Sequence, residues 1–120
     1  MSKFYFLLFF LGLGITACQT KEVNENLLYG HWQLKEGFRN NNSEPSKMLE
    51  GIYFNIEKPT AVSTNFSGIE ENGQFGLEKD KFTIETSRTT KFKIKNLSEK
   101  ELELATIIRG IPFRFILEKE

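Results

Sequence analysis

The sequence predicts an all-β domain, a small eight-stranded antiparallel up-and-down barrel that follows a cleaved leader. From Leu27 onward, apolar and polar residues alternate with period two, short polar connections separate the alternating segments, and no segment shows helical periodicity. Such alternation is typical of strands with one buried and one solvated face, as in antiparallel sheets. A meander of eight short strands hides its unpaired edges best by closing into a barrel.

The first element is the leader, residues 1–17. Lys3 supplies one positive charge, and Phe4 to Ile15 is an unbroken apolar run with two glycines. A helix over this run would be about 18 Å long, which is shorter than the ~30 Å hydrocarbon core of a bilayer. A basic start, a short apolar run and small residues at its end predict a secretory signal peptide.

The leader ends in Ile15-Thr16-Ala17-Cys18, which resembles the lipobox of bacterial lipoproteins. The resemblance implies cleavage before Cys18, a thioether-linked diacylglycerol on its sulfur, and an acyl chain such as palmitate on the new amine. This covalent lipid is the only cofactor-like group that we expect. Two or three acyl chains would give stable anchoring to a membrane. The alternative is cleavage elsewhere, which would leave Cys18 as a free thiol.

Residues 18–26 are polar and carry mixed charge, so we interpret them as a lipidated tether before a barrel domain at residues 27–120. Gln19 is not the aspartate that retains enterobacterial lipoproteins at the inner membrane, which favours the outer membrane. Lys21-Glu22 lies where some lipoproteins of the Bacteroidota carry a surface-export signal, but a solvated linker is the preferred interpretation. The domain would face either the periplasm or the cell surface.

The composition argues against a nucleic-acid partner. Without Lys3, 15 of the 16 basic residues stand against 16 acidic residues. A near-neutral domain has no broad field that would attract nucleic acid. The single cysteine also excludes an intrachain disulfide.

The alternating segments predict strands at 30–37, 50–57, 60–67, 73–78, 81–87, 90–96, 100–107 and 111–118. Turn residues separate them, and Pro112 fits the start of the last strand because proline cannot donate to a ladder. Asn72-Gly73 is also a turn signal, so the start of the fourth strand is open. One hairpin has a testable register: with Asn96 opposite Lys100, Lys93 faces Glu103 and Ile94 faces Leu102.

The segment Leu27 to Leu34, with Gly30-His31-Trp32, looks like the opening of lipocalin-like domains. The later segments Gly73 to Ile84 and Lys91 to Leu104 look like the small lipocalin-like lipoproteins of the Bacteroidota. The resemblance implies that Gly30 allows a tight entry into the first strand and that Trp32 plugs one end of the barrel. An arginine from the end of the chain would stack on the indole, with Arg114 the first candidate and Arg109 the second.

The resemblance also implies a site for a small hydrophobic ligand in the barrel mouth. The long polar loop from Phe38 to Leu49 is either a lid or a flexible connection. The candidate ligand-binding residues are Met48, Leu49, Phe54, Phe66, Phe82, Phe92, Phe113 and Phe115. The phenylalanines could line a pocket or fill it. The chain lacks the Thr-Asp-Tyr motif and the C-terminal helix of larger lipocalins, which argues against a roomy cavity.

No catalytic or metal site is expected. His31 is the only histidine, so the domain lacks the second histidine or cysteine ligand that an ordinary zinc site needs. His31 is also the only residue that could act as an imidazole base for a nucleophile. Glu70 and Glu71 are adjacent and fit a solvated loop better than a carboxylate pair. Two functions are left open: an anchored lipoprotein that binds a small hydrophobic ligand, or a non-enzymatic module with a filled barrel that binds another envelope protein.

Overall fold

The computed structural model describes residues 23–120, and the predicted signal peptide and lipidated Cys18 lie outside these residues. The chain forms a closed barrel of eight antiparallel strands, which confirms the predicted fold class. The strands are β1 Gly30–Arg39, β2 Tyr53–Glu57, β3 Ala61–Thr64, β4 Glu71–Glu78, β5 Lys81–Glu85, β6 Thr89–Leu97, β7 Glu101–Ile108 and β8 Ile111–Lys119. Each strand pairs with the next along the chain, and β8 closes the barrel against β1.

The barrel has two ends, which we call lower and upper. The lower end holds the start of β1 and the β2–β3, β4–β5 and β6–β7 turns. The upper end holds the loops 40–52, 65–70, 86–88 and 109–110. A 3₁₀ turn at Glu25–Leu27 precedes β1, and another at Lys47–Leu49 lies in the first loop. In the described part of the chain, no helix is long and apolar enough to cross a membrane.

Ordered structure begins before the predicted domain start at Leu27. Val23 packs against the core, and the side chain of Asn24 caps the first 3₁₀ turn by accepting from the Asn26 amide at 3.0 Å. The Tyr29 hydroxyl donates to Glu25 at 2.5 Å. The folded part therefore begins no later than Val23, and residues 23–26 belong to the barrel domain.

The predicted register of the β6–β7 hairpin is wrong. A bulge between Ile94 and Asn96 places Ile94 opposite Leu104 and Leu97 opposite Leu102. The extra residue turns Leu97 toward the interior, so β6 contributes a further apolar side chain to the core. As a consequence Glu103 does not face Lys93.

Asn72-Gly73 is not a turn but part of β4, which begins at Glu71. Gly73 lies directly against β5, where an added Cβ would stand 2.0 Å from the backbone oxygen of Glu85. The glycine therefore permits a close approach of two strands rather than a reversal of the chain.

The inward faces of all eight strands contribute to one hydrophobic core. Its largest fully buried side chains are Trp32, Phe54, Phe82 and Phe115. Every buried side-chain nitrogen or oxygen within residues 23–120 has a hydrogen-bond partner. The barrel interior is thus apolar and has its few polar atoms satisfied.

Truncation of Phe92, at the centre of the core, should leave a cavity that the surrounding side chains cannot fill. Phe92 is 2% exposed and contacts the rings of Phe54, Phe82 and Phe115. We expect Phe92→Ala to lower the free energy of unfolding by about 3–5 kcal/mol in urea titrations. The control Thr83→Ala, on the outer face of the neighbouring strand, should change it by less than about 0.5 kcal/mol. Similar losses for both variants would contradict a tightly packed interior.

Candidate functional site

Trp32 closes the lower end of the barrel. The indole is fully buried, and its Nε1 donates to the carbonyl oxygen of Leu28 at 2.8 Å. Lys119 covers the ring, with Nζ 5.0 Å from the ring centroid and 3.1 Å from the carbonyl oxygen of Leu27. Gly30 has φ +141, and a Cβ there would stand 3.1 Å from Lys119 Cε. The glycine therefore allows the lysine to pass close to the backbone.

The cation on Trp32 is Lys119, so the prediction that Arg114 or Arg109 stacks there is wrong. Lys119 lies directly opposite Trp32 in the β1–β8 pairing, whereas Arg114 lies opposite Phe38 toward the upper end. The Arg114 guanidinium is 4.2 Å from the centroid of Phe38 and 3.5 Å from the Glu103 carboxylate. Arg109 lies in the β7–β8 turn with φ 53.

Most of the predicted ligand-binding phenylalanines fill the interior. Phe54, Phe92 and Phe115 form a ring cluster at the centre of the barrel, with centroids 5.7–6.4 Å apart. Phe82 extends the cluster toward Phe75. These side chains contact one another instead of lining an empty space.

Two predicted site residues lie at the upper end of the interior and are only partly buried. Phe66 stacks on Phe54, and Phe113 stacks on Phe115 at 6.3 Å. The Arg39 guanidinium lies 6.0 Å from the Phe113 centroid. This end of the interior is a shallow mouth with aromatic sides.

The remaining two predicted ligand-binding residues, Met48 and Leu49, lie in the first loop and differ in burial. Leu49 is buried against the core, while Met48 is 79% exposed. Because the 3₁₀ turn at Lys47–Leu49 directs these neighbours differently, Leu49 helps to close the upper end and Met48 is left in solvent. The loop therefore packs one apolar residue into the core and does not fold Met48 over the mouth.

Glu71 ties two upper loops together. It accepts hydrogen bonds from Ser67 at 3.2 Å, Thr86 at 3.0 Å and Ser87 at 2.6 Å. The hydroxyls of Ser87 and Thr86 hold the pKa of the carboxyl below its ordinary value, against a smaller opposing effect of burial. Glu71 is therefore a structural clasp at the start of β4, not a residue of a solvated loop.

The remaining polar candidates, His31 and Glu70, both contact Tyr53. His31 stacks on Tyr53 at 5.5 Å, and its Nε2 is 3.7 Å from a carboxylate oxygen of Glu120. Burial raises the pKa of Tyr53, with a further effect of the Glu70 carboxylate. Within residues 23–120, no group of three or more histidine, cysteine, aspartate or glutamate side chains could hold a metal ion.

An open groove of about 1290 Å³ lies on the outside of the barrel. One row of outward residues crosses it from strand to strand, since Lys81 lies opposite Lys93, Lys93 opposite Ala105, and Ala105 opposite Arg114. Phe38 on β1 ends the row. Ala105, the one small side chain in this row, lies at its middle and lines the groove.

Phe38 gives the groove an apolar floor. A bulge between Leu34 and Glu36 shifts the register of β1, so that Phe38 pairs with outward-facing Arg114 and stands outside the core cluster. It is nevertheless only 7% exposed, because Arg114 covers its ring. Other uncharged residues of the groove are Asn41, Asn42, Gly76, Leu77, Thr83, Phe92, Ala105, Thr106, Ile107, Pro112 and Phe113.

Basic residues predominate among the charged side chains around this floor. The cations are Lys81, Lys91, Lys93, Lys95 and Arg114, and the carboxylates are Glu78, Asp80 and Glu85. A second depression of about 440 Å³, between β2, β3 and β4, is lined mainly by polar residues such as Asn55, Ser63 and Gln74. The outer groove is therefore the larger and more apolar of the two.

Two solved structures resemble the barrel. A lipocalin-like protein from Bacteroides uniformis is 18% identical with a TM-score of 0.60, over 78% of this chain and 99% of that one. The chain has a lipocalin-like fold. An uncharacterized protein from Bacteroides eggerthii is 17% identical with a TM-score of 0.59, over 77% of this chain and 98% of that one. No family model and no curated protein matches the sequence.

Sequence reasoning did not find the lipocalin-like barrel's outer groove. Its walls come mostly from outward positions of β4 to β8, and its floor residue Phe38 lies past a bulge. The Lys91-Lys93-Lys95 row was visible in the sequence, but alternation alone indicates only a solvated face. The register of β6, β7, β8 and β1 was needed to place these lysines on the same outer face as Phe38.

The stacking of Lys119 on Trp32 can be tested by removing its charge. We expect Lys119→Met to lower the free energy of unfolding by about 1 kcal/mol, because the cation–π contact and the bond to Leu27 are lost. The emission of Trp32, the only tryptophan, should change. Arg114→Met should leave this emission unaltered. A response to Arg114→Met and none to Lys119→Met would show that the arginine covers the indole.

The hydrogen bonds to Glu71 predict that the stability of the fold depends on pH. Ser87→Ala should raise the pKa of Glu71 toward its ordinary value of 4.5, which an NMR titration of the carboxyl carbon would measure. Because the folded-state pKa is lowered, the clasp stabilises the fold above the ordinary pKa. That stabilisation is lost as the pH falls through the folded-state pKa. The stability difference between wild type and Ser87→Ala should therefore shrink on acidification, and an unchanged Glu71 pKa in the variant would contradict the clasp.

Proposed function

We propose that this chain is a non-enzymatic, membrane-tethered binding protein that holds a small hydrophobic molecule in its outer groove. The observation that carries the proposal is an open groove with an apolar floor on a barrel whose own interior is filled. Ligand sites are typically concave and mostly apolar, with a few polar groups that orient the ligand. The outer groove combines these features, with Phe38 at its floor and lysines around it.

The filled interior disfavours the usual alternative, a ligand inside the barrel. A molecule at the centre would have to displace Phe54, Phe92 or Phe115, which are at most 2% exposed. Removal of one large core side chain from its packing costs about 3–5 kcal/mol. A groove that is already open requires no such rearrangement.

The mouth at the upper end is the second candidate site. Phe66 and Phe113 are partly buried there, and a small apolar molecule could contact both rings. The mouth and the groove share Phe113 but differ in Phe66, which does not line the groove. Variants of Phe66 and of groove residues therefore separate the two sites.

Anchoring through a lipid on Cys18, and attachment to the outer membrane, complete the proposal. The described chain begins at the lower end, where Val23 and the Glu25–Leu27 turn precede β1. An anchor on this side would leave the upper loops farther from the membrane. Radiolabelled palmitate should be incorporated into the full chain and not into Cys18→Ser, and labelling of both would contradict the lipid site.

Binding in the groove can be tested with the neutral fluorescent probe N-phenyl-1-naphthylamine and a soluble chain of residues 19–120. We expect saturable binding that weakens at least about tenfold in Ala105→Phe, because the new ring occupies the groove. The matched control Ser63→Phe adds a similar bulk to the second depression and should leave binding unchanged.

Three results would contradict the proposed site. Probe binding that Ala105→Phe does not weaken would place the ligand elsewhere. A loss in Phe66→Ala with no loss in Ala105→Phe would place it in the mouth. Absence of probe binding to a cooperatively folded chain would argue against a hydrophobic ligand altogether.

A further inference from the structure

We propose that the ligand of the outer groove is a single-chain amphiphile with an anionic head group. Its head would lie against Lys81, Lys91 and Lys95, and its hydrocarbon chain would lie along the apolar floor toward Phe38. This inference rests on the proposed function, since it names the chemical class that the groove accepts. It follows from the charges, the strand register and the shape of the groove.

The charge around the groove is unbalanced toward the positive. Of its cations, Lys93 lies 3.9 Å from Asp80 and Arg114 lies 3.5 Å from Glu103. No ion pair within residues 23–120 includes Lys81, Lys91 or Lys95. These three ammonium groups can therefore interact with an anion without first breaking an ion pair.

The strand register concentrates this charge. Lys81 on β5 lies directly opposite Lys93 on β6, and Lys91 lies two residues further along the same outer face. Like charges directly opposite each other destabilise an antiparallel pair. Asp80 pairs with Lys93, and Glu78 on β4 lies directly opposite Lys81. Lys91 lies opposite Thr83 and has no carboxylate directly opposite it, so an anionic group bound beside Lys91 gains an electrostatic attraction that a neutral group lacks.

The other part of the groove suits a hydrocarbon chain. Ala105, Ile107, Pro112 and Phe38 line it, with Ile107 71% exposed and Phe38 7% exposed beneath Arg114. An exposed β-branched aliphatic side chain gains from being covered by apolar surface. The four lysines of the groove lie on β5 and β6, whereas most of its apolar residues lie on β7, β8 and β1. Arg114 on β8 is the one cation among these apolar residues, and it is paired with Glu103.

The closed barrel favours a small amphiphile over an extended acidic peptide. Peptides that bind along sheets usually add a strand to a free edge, where their backbone gains hydrogen bonds. Every strand of this barrel is already paired on both sides. A peptide in the groove would therefore have only side-chain contacts, whereas an amphiphile needs no backbone partner.

The test compares three twelve-carbon amphiphiles that differ in the head group: dodecanoate, dodecanol and dodecyltrimethylammonium, each as monomer. The soluble chain of residues 19–120 is suitable because the closed barrel and its core lie within residues 23–120. Displacement of N-phenyl-1-naphthylamine measures affinity. We expect dodecanoate to bind at least about tenfold more tightly than the other two, and added salt to reduce this preference.

The lysines are tested by the double variant Lys91→Glu/Lys95→Glu against the control Lys47→Glu/Lys100→Glu. Both variants change net charge equally, but Lys47 and Lys100 do not line the groove. Dodecanoate should bind at least about tenfold more weakly to the groove variant only, while dodecanol binding stays unchanged. Thermal unfolding verifies that both variants remain folded.

The outcomes separate this inference from the proposed function. Equal affinity for all three amphiphiles, still blocked by Ala105→Phe, would overturn the anionic head group and leave the groove as a hydrophobic site. Equal losses in the two double variants would also overturn it. Binding to vesicles of anionic phospholipid without binding of monomeric dodecanoate would make the groove a membrane contact and overturn the amphiphile. If neither the neutral probe nor any amphiphile binds, the proposed function fails as well.

Discussion

Closure of eight short strands into a barrel fixes the width of the interior, and that width is just enough for side chains to fill. Phe54, Phe92 and Phe115 meet at the centre, while Trp32 closes the lower end. The core therefore consists largely of side chains that contact their counterparts across the barrel. A site for another molecule has to lie at the mouth or outside the barrel.

Two bulges adapt the closed sheet to this interior. In β6 the bulge beside Lys95 turns Leu97 inward, which extends the core. In β1 the bulge beside Lys35 reverses the faces of the residues that follow, which leaves Phe38 on the outside under Arg114. The same kind of irregularity thus completes the core on one strand and builds the floor of the outer groove on another.

The architecture could be predicted because it depends on repeated local patterns. Alternation marked all eight strands, and the position of Gly30-His31-Trp32 marked the strand that carries the plug. The bulges could not be predicted, because a bulge adds one residue to a strand without a distinctive side chain. An error of one residue exchanges the two faces of a strand. The hairpin register was therefore wrong, although the strands were right. The partner of Trp32 was wrong for a different reason: Arg114 was inferred from the resemblance, but it lies toward the upper end, and Lys119 lies opposite Trp32.

The candidate site depends on long-range register, which explains why the sequence alone indicated the interior instead. Phenylalanines at inward positions fit a lined pocket and a filled core equally well until their contacts are known. The groove joins Lys81 to Phe38 through pairings across five strands, and no sequence pattern connects residues 43 positions apart. Leu49 and Met48 are a local example, because neighbouring apolar residues in one loop have opposite burial.

The central claim is that ligand binds to the outer face while the interior stays filled. Nuclear Overhauser effects between the chain protons of dodecanoate and protein methyl groups test it most directly, since β7 carries methyls on both faces. Ala105 and Ile107 face the groove, whereas Leu102 and Leu104 are fully buried in the core. The account predicts contacts from the ligand to Ala105 and Ile107 and none to Leu102 and Leu104. Contacts to the two leucines would show that the barrel opens to admit ligand and would contradict the account.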